Sequence, residues 1–259
     1  MREQIDIPAS FAGSADVTGK RVVITGAGRG LGRLLAHAFS QGGARVALVA
    51  RTETDLKAVA GELPGSSLVL GGDVTDAEFN ESVADAMVAE WGGVDVWICN
   101  AGISPILGGP LETDPSVWRE ILDVNLTGAF LGARAAARVM HDGGRLIFTG
   151  SVLGERPRAG LSAYSASKAG LVGMAKGLAL DLACLGITVN VVAPGWFDSP
   201  LAERWKHSPE LEAGVLGHTA QRRWGGPNDL AGAYQFLASD ASAFVTGTVL
   251  NVDGGYLLI

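Results

Sequence analysis

Short apolar runs that alternate with helix-patterned segments restrict this chain to one class of fold. The first two runs, 21–25 and 45–50, are apolar on both faces, as strands buried inside a parallel sheet are. The same reading predicts further strands at 67–70, 94–99, 145–149, 187–193 and 248–252, and helices over 31–39, 76–91, 115–140, 161–185 and 228–237. The pattern predicts one doubly wound α/β domain, with a seven-stranded parallel sheet flanked by helices.

Length and composition limit the function classes. The 259 residues are interpreted as a lead-in at 1–19 and one domain at 20–259, and 47% hydrophobic residues exclude a disordered chain. A net charge of −7 argues against a nucleic-acid partner. Neither a membrane span nor a signal peptide is predicted, so we expect a cytoplasmic protein without a membrane partner.

Cysteine and histidine give no sign of a disulfide framework or a metal site. Cys99 and Cys184 are interpreted as small buried hydrophobic residues in a reducing compartment. The four histidines lack the spacing of metal ligands, and we expect no catalytic metal.

A glycine-rich turn joins the first strand to the first helix. Gly26, Gly30 and Gly32 allow backbone N–H groups to approach a pyrophosphate at the positive end of a helix. Their spacing differs from G-x-G-x-x-G, so the motif alone is weak. Its position at the first strand–helix junction of the sheet is what predicts a dinucleotide site.

The end of the second strand indicates which dinucleotide is preferred. An NAD site usually has a carboxylate there, whereas this chain has Arg51 followed by Thr52, with Arg29 in the glycine turn. Two cations suit a 2′-phosphate, so we expect NADP(H) to be preferred over NAD(H). The alternative is that both arginines are solvated surface charges.

Tyr164 and Lys168 form a candidate acid/base pair. Their spacing of four residues puts them on one face of the helix predicted at 161–185, within reach of Ser151 at the end of a strand. A cation about 4 Å from a phenol is worth roughly 4 kcal/mol at an effective dielectric near 20. Lys168 is therefore expected to lower the pKa of Tyr164 from about 10 toward neutrality. Taken alone, the two residues could equally be an ordinary pair on a helix surface.

Together these motifs resemble the short-chain dehydrogenase/reductase family over residues 20–256. The resemblance is carried by 25–32 (TGAGRGLG), Asp73-Val74, Asn100-Ala101-Gly102, Asn125, Ser151, Tyr164-Ser-Ala-Ser-Lys168, Asn190, Pro194-Gly195, Thr246-Gly247 and 252–255 (VDGG). It implies a Rossmann-type domain that interconverts a secondary alcohol and a ketone.

The resemblance also implies residue roles. Tyr164 would be the general acid/base, Ser151 would polarise the substrate oxygen, and Lys168 would hold the nicotinamide ribose. Asn125 would bind a water that links Lys168 to solvent. The implied cofactor-binding residues are Gly26, Arg29, Gly30, Leu31, Gly32, Arg51, Thr52, Asp73, Val74, Asn100, Ala101, Gly102, Tyr164, Lys168, Pro194, Gly195, Phe197 and Ser199.

The substrate is left open by the sequence. A lid is expected around 196–226, and the expected wall residues are Ile103, Ser104, Pro105, Val152, Leu153, Trp196 and Phe197. The chain is loosely similar to members that act as gluconate 5-dehydrogenases or as 3-oxoacyl-carrier-protein reductases. A sugar acid, a β-keto thioester and a hydrophobic ketone all stay possible. A non-catalytic NADP(H) sensor and a nucleotide-sugar epimerase or dehydratase are the rival interpretations.

The predicted helix at 161–185 carries few charges and is apolar nearly all round. Such a helix is buried against something besides its own sheet. Because relatives are commonly tetramers, we expect a homotetramer.

Overall fold

A parallel sheet of strand order β3-β2-β1-β4-β5-β6-β7 organises the computed structural model, which describes residues 15–105, 108–141 and 143–259. Its strands are β1 (Arg21–Thr25), β2 (Arg45–Ala50), β3 (Ser67–Gly71), β4 (Val96–Cys99), β5 (Arg145–Thr149), β6 (Thr188–Pro194) and β7 (Val249–Val252). Each lies within about two residues of its predicted bounds. The predicted fold class is confirmed.

Helices cover both faces of this sheet. They are α1 (Gly30–Gln41), α2 (Glu53–Glu62), α3 (Ala77–Trp91), α4 (Pro115–Leu122), α5 (Gly128–Val139), α6 (Ser162–Leu182), α7 (Glu203–Lys206), α8 (Pro209–Gly217) and α9 (Pro227–Ala238). The sequence reading missed α2, because only Leu56 and Val59 of that helix are buried and its apolar pattern is short.

The helix predicted at 115–140 is interrupted. A π-helical turn at Asp123–Thr127 separates α4 from α5 and contains Asn125, which is buried. Single π turns of this kind often occur at functional sites. The prediction of an unbroken helix at 115–140 was therefore wrong at Asn125, a candidate site residue.

Alternate strand residues supply the two halves of the core. On one face Val22 and Ile24 of β1 pack with residues of α1, α2 and α9. On the other face Val23 packs with residues of α3, α5 and α6. Strands buried on both faces explain the continuous apolar runs of the sequence.

Two predicted segments lie at the edges of this core. Of the lead-in only 15–19 is described, and Val17 there is 1% exposed and packs in the core. The expected lid region contains α7 and α8, whose Trp205 and Val215 pack with Trp196 in a third apolar cluster.

Within the described part of the chain no helix is long and apolar enough to span a membrane.

The strand order reverses between β1 and β4. Chain order runs outward from β1 to β2 and β3, and then continues on the other side of β1 from β4 to β7. In open α/β sheets a crevice forms outside the carboxyl ends of the strands at such a switch point. The turns that follow β1 and β4 meet there, at Gly26 and Asn100.

Candidate active site

A cavity of about 460 Å³ opens at the carboxyl ends of the strands. All residues predicted to bind a cofactor line it, as do Ser151, Tyr164 and Lys168. Asn125 lies outside the lining, whereas its neighbour Val124 is part of it. The fold therefore brings together at one crevice residues that are far apart in sequence.

The glycine turn forms the phosphate end of the cavity. Gly26 has φ +70°, and a Cβ there would lie 2.9 Å from Cα of Ala101. Helix α1 begins at Gly30, and neither a side-chain cap nor an acidic residue occupies its first turn. Because such a helix end leaves backbone N–H donors and positive potential at the cavity, the turn fits a pyrophosphate.

The end of the cavity where the adenosine is expected, which we call the adenosine end, contains a carboxylate that was not predicted from the sequence. Arg51, Arg29 and Asp73 line the cavity as expected, but so does Asp55 of the unpredicted helix α2. A Cβ on Gly28 would lie 3.0 Å from Cβ of Asp55. The expectation of two cations without a nearby anion was therefore incomplete.

Tyr164 and Lys168 are both buried, 8% and 4% exposed, on the first turns of α6. Lys168 Nζ donates to the carbonyl oxygen of Thr149 at 2.7 Å and lies 5.7 Å from the centre of the Tyr164 ring. The Ser151 hydroxyl hydrogen-bonds with Tyr164 and also accepts from the Leu153 N–H at 3.1 Å. Tyr164 and Lys168 are thus buried beside a half-buried Ser151, rather than being a pair on a helix surface.

Burial is the largest influence on the pKa values of Tyr164 and Lys168 when no cofactor is bound. It raises the pKa of Tyr164, against the smaller opposite effect of the hydrogen bond from Ser151. It lowers the pKa of Lys168 to about 8. The expected depression of the Tyr164 pKa by Lys168 is not found, because burial disfavours the phenolate and only the hydrogen bond with Ser151 opposes that effect.

Asn125 holds the main chain beside the cavity. Its Oδ1 accepts from the Ile103 N–H at 2.8 Å, and its Nδ2 donates to the Ile103 carbonyl at 3.0 Å and to Ser167 Oγ at 3.1 Å. A Cβ on Gly102 would lie 3.3 Å from Asn125 Oδ1 and 3.6 Å from Lys168 Nζ. Asn125 is therefore a neighbour of Lys168, and its expected role in holding a water stays a prediction.

A hydrogen-bonded chain behind the site was not anticipated. Thr149 Oγ1 bonds with the Tyr234 hydroxyl at 2.8 Å and with Asn100 Oδ1 at 3.2 Å. Thr25 Oγ1 accepts from the N–H groups of Asn100 and Ala101 at 2.9 and 3.0 Å. These contacts join β1, β4, β5 and α9, and since the residues are distant in sequence no local pattern could reveal them.

The predicted substrate wall is mostly present. Its residues Ile103, Ser104, Val152, Leu153, Trp196 and Phe197 line the cavity, joined by Leu161 and Trp205. Pro105 is exposed and lies outside the lining. Trp196 packs edge-on against Trp205, with ring centres 5.0 Å apart, so part of the expected lid is fixed to this wall.

The two cysteines differ in environment. Cys99 is buried, which raises the pKa of its thiol to about 12, so it packs as a small apolar residue. Cys184 is exposed, which contradicts the expectation that both are buried. Among the residues that the structure describes, no three His, Cys, Asp or Glu side chains are grouped as metal ligands would be.

Comparison with known proteins agrees with the fold. Residues 26–257 match a family model described as enoyl-(acyl carrier protein) reductase. The chain is 38% identical over 245 residues to 3-oxoacyl-[acyl-carrier-protein] reductase FabG of Escherichia coli K12, across 93% of this chain and 98% of that protein. It is 36% identical over 245 residues to cis-4-hydroxycyclohexanecarboxylate dehydrogenase of Sinomonas cyclohexanicum, across 92% and 96% of the two chains.

Solved structures give the same result. A candidate NAD(P)-dependent gluconate 5-dehydrogenase from Beutenbergia cavernae, with NADP bound at low occupancy, superposes with a TM-score of 0.88 at 35% identity. The superposition covers 94% of this chain and 99% of that one. Family members are NAD(P)-binding oxidoreductases that act on CH–OH or C=O groups. On sequence and on structure, this chain belongs to the short-chain dehydrogenase/reductase family.

Proposed function

We propose that this protein is an NADP(H)-dependent oxidoreductase that interconverts a secondary alcohol and a ketone, with Tyr164 as general acid/base. The observation that carries the proposal is that buried Tyr164 and Lys168 lie with half-buried Ser151 at the wall of the cavity. A sensor would require the cofactor end alone. An epimerase or dehydratase is disfavoured because the family match extends over nearly the whole chain.

In the proposed reduction, this chain's residues handle the proton and the charge at the substrate oxygen. When bound, the cofactor supplies the hydride for the carbonyl carbon. Ser151 donates a hydrogen bond to the carbonyl oxygen, and Tyr164 gives its phenolic proton to the same oxygen as negative charge develops. Burial raises the pKa of Tyr164, so the phenol keeps its proton at neutral pH and is available as a proton donor. The Lys168 ammonium then stabilises the phenolate that remains.

Cofactor preference rests on the charges at the adenosine end. Arg51 and Arg29 line the cavity and suit a 2′-phosphate, as Arg binds phosphate oxygens by charge-assisted hydrogen bonds. Asp55 at the same end opposes this preference. We propose that NADP(H) is preferred and that the margin is set by the balance of these three charges.

The substrates named for the relatives define the panel to be tested. It contains a β-keto thioester, a 5-keto sugar acid, 4-oxocyclohexanecarboxylate and a plain cyclic ketone, each with NADPH. A 2-enoyl thioester is added because of the family model's description. Consumption of NADPH with a ketone supports the proposal, whereas consumption with the enoyl thioester alone contradicts it.

The decisive variant is Tyr164→Phe. We expect it to fold, to bind NADPH with nearly unchanged affinity, and to lose at least a hundredfold in kcat with the best ketone of the panel, since general acid catalysis contributes typically 10²–10⁴-fold. Cofactor binding is followed by fluorescence and turnover by NADPH absorbance. Wild-type turnover retained by this variant would overturn the assignment. NADPH binding by the wild type, without consumption of any carbonyl, would favour the sensor.

A further inference from the structure

Apolar side chains enclose the part of the cavity next to Tyr164. This phenol belongs to an apolar cluster of which the following members line the cavity: Val152, Leu153, Leu161, Tyr164, Trp196 and Trp205. They come from the segment after β5, the start of α6, the segment after β6, and α7. A ketone whose oxygen is held at Tyr164 would therefore place its substituents against these side chains, which we call the apolar wall.

Trp196 presents carbon rather than nitrogen to the cavity. Its indole Nε1 is buried and inaccessible, although the residue belongs to the cavity lining. The ring is held edge-on by Trp205 and Trp224, with ring centres 5.0 and 6.1 Å from its own. A molecule in the cavity therefore meets only ring carbons of this side chain.

The charged side chains of the cavity lie elsewhere. Within the described part of the chain, the charged residues of the lining are Arg29, Arg51, Asp55, Asp73 and Lys168. The first four follow β1, β2 or β3, whereas the apolar wall follows β5 and β6, on the other side of the switch point. Lys168 is 4% exposed, and its ammonium donates to the Thr149 carbonyl at 2.7 Å. The apolar wall itself therefore contains no partner for a charged substituent.

Ser104 and Arg158 offer no counter-ion to a ligand at this wall. Ser104 lines the cavity and is uncharged. The guanidinium carbon of Arg158 lies 4.8 Å from the centre of the Trp205 ring, but Arg158 is not part of the lining. A ligand thus reaches the ring of Trp205 and not the guanidinium beyond it.

We propose that the substrate is an uncharged, hydrophobic ketone whose apolar substituent packs against Trp196 and Trp205. This inference rests on the proposed function and narrows its substrate class. A sugar acid would bring hydroxyl groups and a carboxylate against hydrocarbon, where they lose water without gaining partners. An apolar substituent gains free energy by leaving water and packs well against indole rings.

The first test compares ketones of one shape that differ in charge, each reduced by the wild type with NADPH. The pairs are 4-methylcyclohexanone with 4-oxocyclohexanecarboxylate, and 4-methylacetophenone with 4-acetylbenzoate. Because the apolar wall leaves a carboxylate unpaired, we expect kcat/KM to be about 10- to 1000-fold higher for the methyl compound. A smaller ratio in the better-reduced pair, or a preference for the carboxylate, would overturn the proposal.

The second test removes part of the apolar wall. Trp205→Ala should raise KM for the better methyl ketone about 10- to 100-fold and leave KM for NADPH within about twofold. Trp224→Ala is the matched control, because Trp224 also packs edge-on against Trp196 but does not line the cavity. It should change KM for the ketone by less than about threefold. Circular dichroism checks that both variants fold, and an equal rise of KM in the two would show that the apolar wall does not bind the ketone.

Failure of the proposed function is recognised separately. If the wild type consumes no NADPH with any carbonyl, the proposed reaction is wrong, and binding then tests the apolar wall. The NADP⁺-loaded wild type is titrated calorimetrically with 4-methylacetophenone and with 4-acetylbenzoate. Tighter binding of the methyl compound supports an apolar binding site, whereas equal or tighter binding of the carboxylate refutes it.

Discussion

At the scale of single residues, the site combines two groups that burial affects in opposite senses. Tyr164 is kept protonated, and Lys168 has a pKa lowered to about 8. Each change disfavours the charged form of the group. The protein alone therefore holds a protonated phenol beside a lysine whose charge is lost as the pH rises through about 8.

A pH profile tests this arrangement. The Lys168 ammonium is present below pH about 8 and is lost as the pH rises through that value. In the proposed mechanism the ammonium stabilises the phenolate formed when Tyr164 donates its proton. We therefore expect kcat/KM for ketone reduction to be flat from pH 6 to 7.5 and to fall above pH about 8. Lys176→Met, at an exposed position of the same helix, should keep that profile. A constant kcat/KM up to pH 10 would exclude this role for Lys168.

Arg51 is the residue that tests the preferred dinucleotide. Arg51→Ala removes a cation at the adenosine end, so we expect the ratio of kcat/KM for NADP⁺ to that for NAD⁺ to fall about 10-fold or more. Asp55→Asn should change this ratio in the opposite direction, because it removes the anion at the same end. If Arg51→Ala leaves the ratio unchanged, the assignment of the 2′-phosphate site to Arg51 is wrong.

At the scale of elements, contacts between helices and strand ends hold the site residues in place. The π turn at Asp123–Thr127 places Asn125 against Ile103, at the end of the segment that follows β4. Helix α9 reaches the other side of the site through Tyr234, whose hydroxyl bonds with Thr149 at the end of β5. Since the Thr149 carbonyl accepts from Lys168, α9 is connected to Lys168 through a single residue.

Tyr234→Phe measures this connection. Removing one buried hydrogen bond costs about 1 kcal/mol, which for a chain of this size lowers Tm by about 2–4 °C. We expect that fall, together with a modest decrease in kcat as Thr149 becomes less well held. Tyr256→Phe is the control, because Tyr256 is similarly buried but its hydroxyl is not part of this chain of hydrogen bonds. Calorimetry that finds equal Tm values for the two variants would contradict the connection.

At the scale of the whole molecule, large apolar side chains remain on the surface. Leu180 on α6 is 82% exposed, Leu258 is 84% exposed and Phe244 is fully exposed. A Cβ added to Gly173 or Gly177 of α6 would meet no atom within 4 Å. No other element of the described chain therefore packs on this face of the helix. Such a face suits association with another copy of the chain, and the expected tetramer stays a prediction.

Sedimentation velocity tests the assembly. We expect the wild type to sediment as a tetramer, and Leu180→Glu to give smaller species because it places a charge in an apolar interface. Leu111→Glu provides the control, since Leu111 is 95% exposed but lies in a loop outside α6. A wild type that sediments as a monomer at micromolar concentration would contradict the expected assembly.

Local sequence patterns were enough to predict the sheet and its strands, and the family resemblance predicted most of the residues that line the cavity. Strands buried on both faces and glycine turns at strand ends leave a local pattern, because hydrophobic periodicity and backbone freedom are properties of neighbouring residues. The positions of the other side chains around the cavity depend on tertiary packing. It placed Asp55 of a weakly patterned helix at the adenosine end, directed the side chain of Asn125 to Ile103, and put Arg158 behind Trp196 and Trp205. Hydrogen bonds, charges and desolvation act through space between distant segments, so the pKa values of Tyr164 and Lys168 also depend on packing that no spacing encodes.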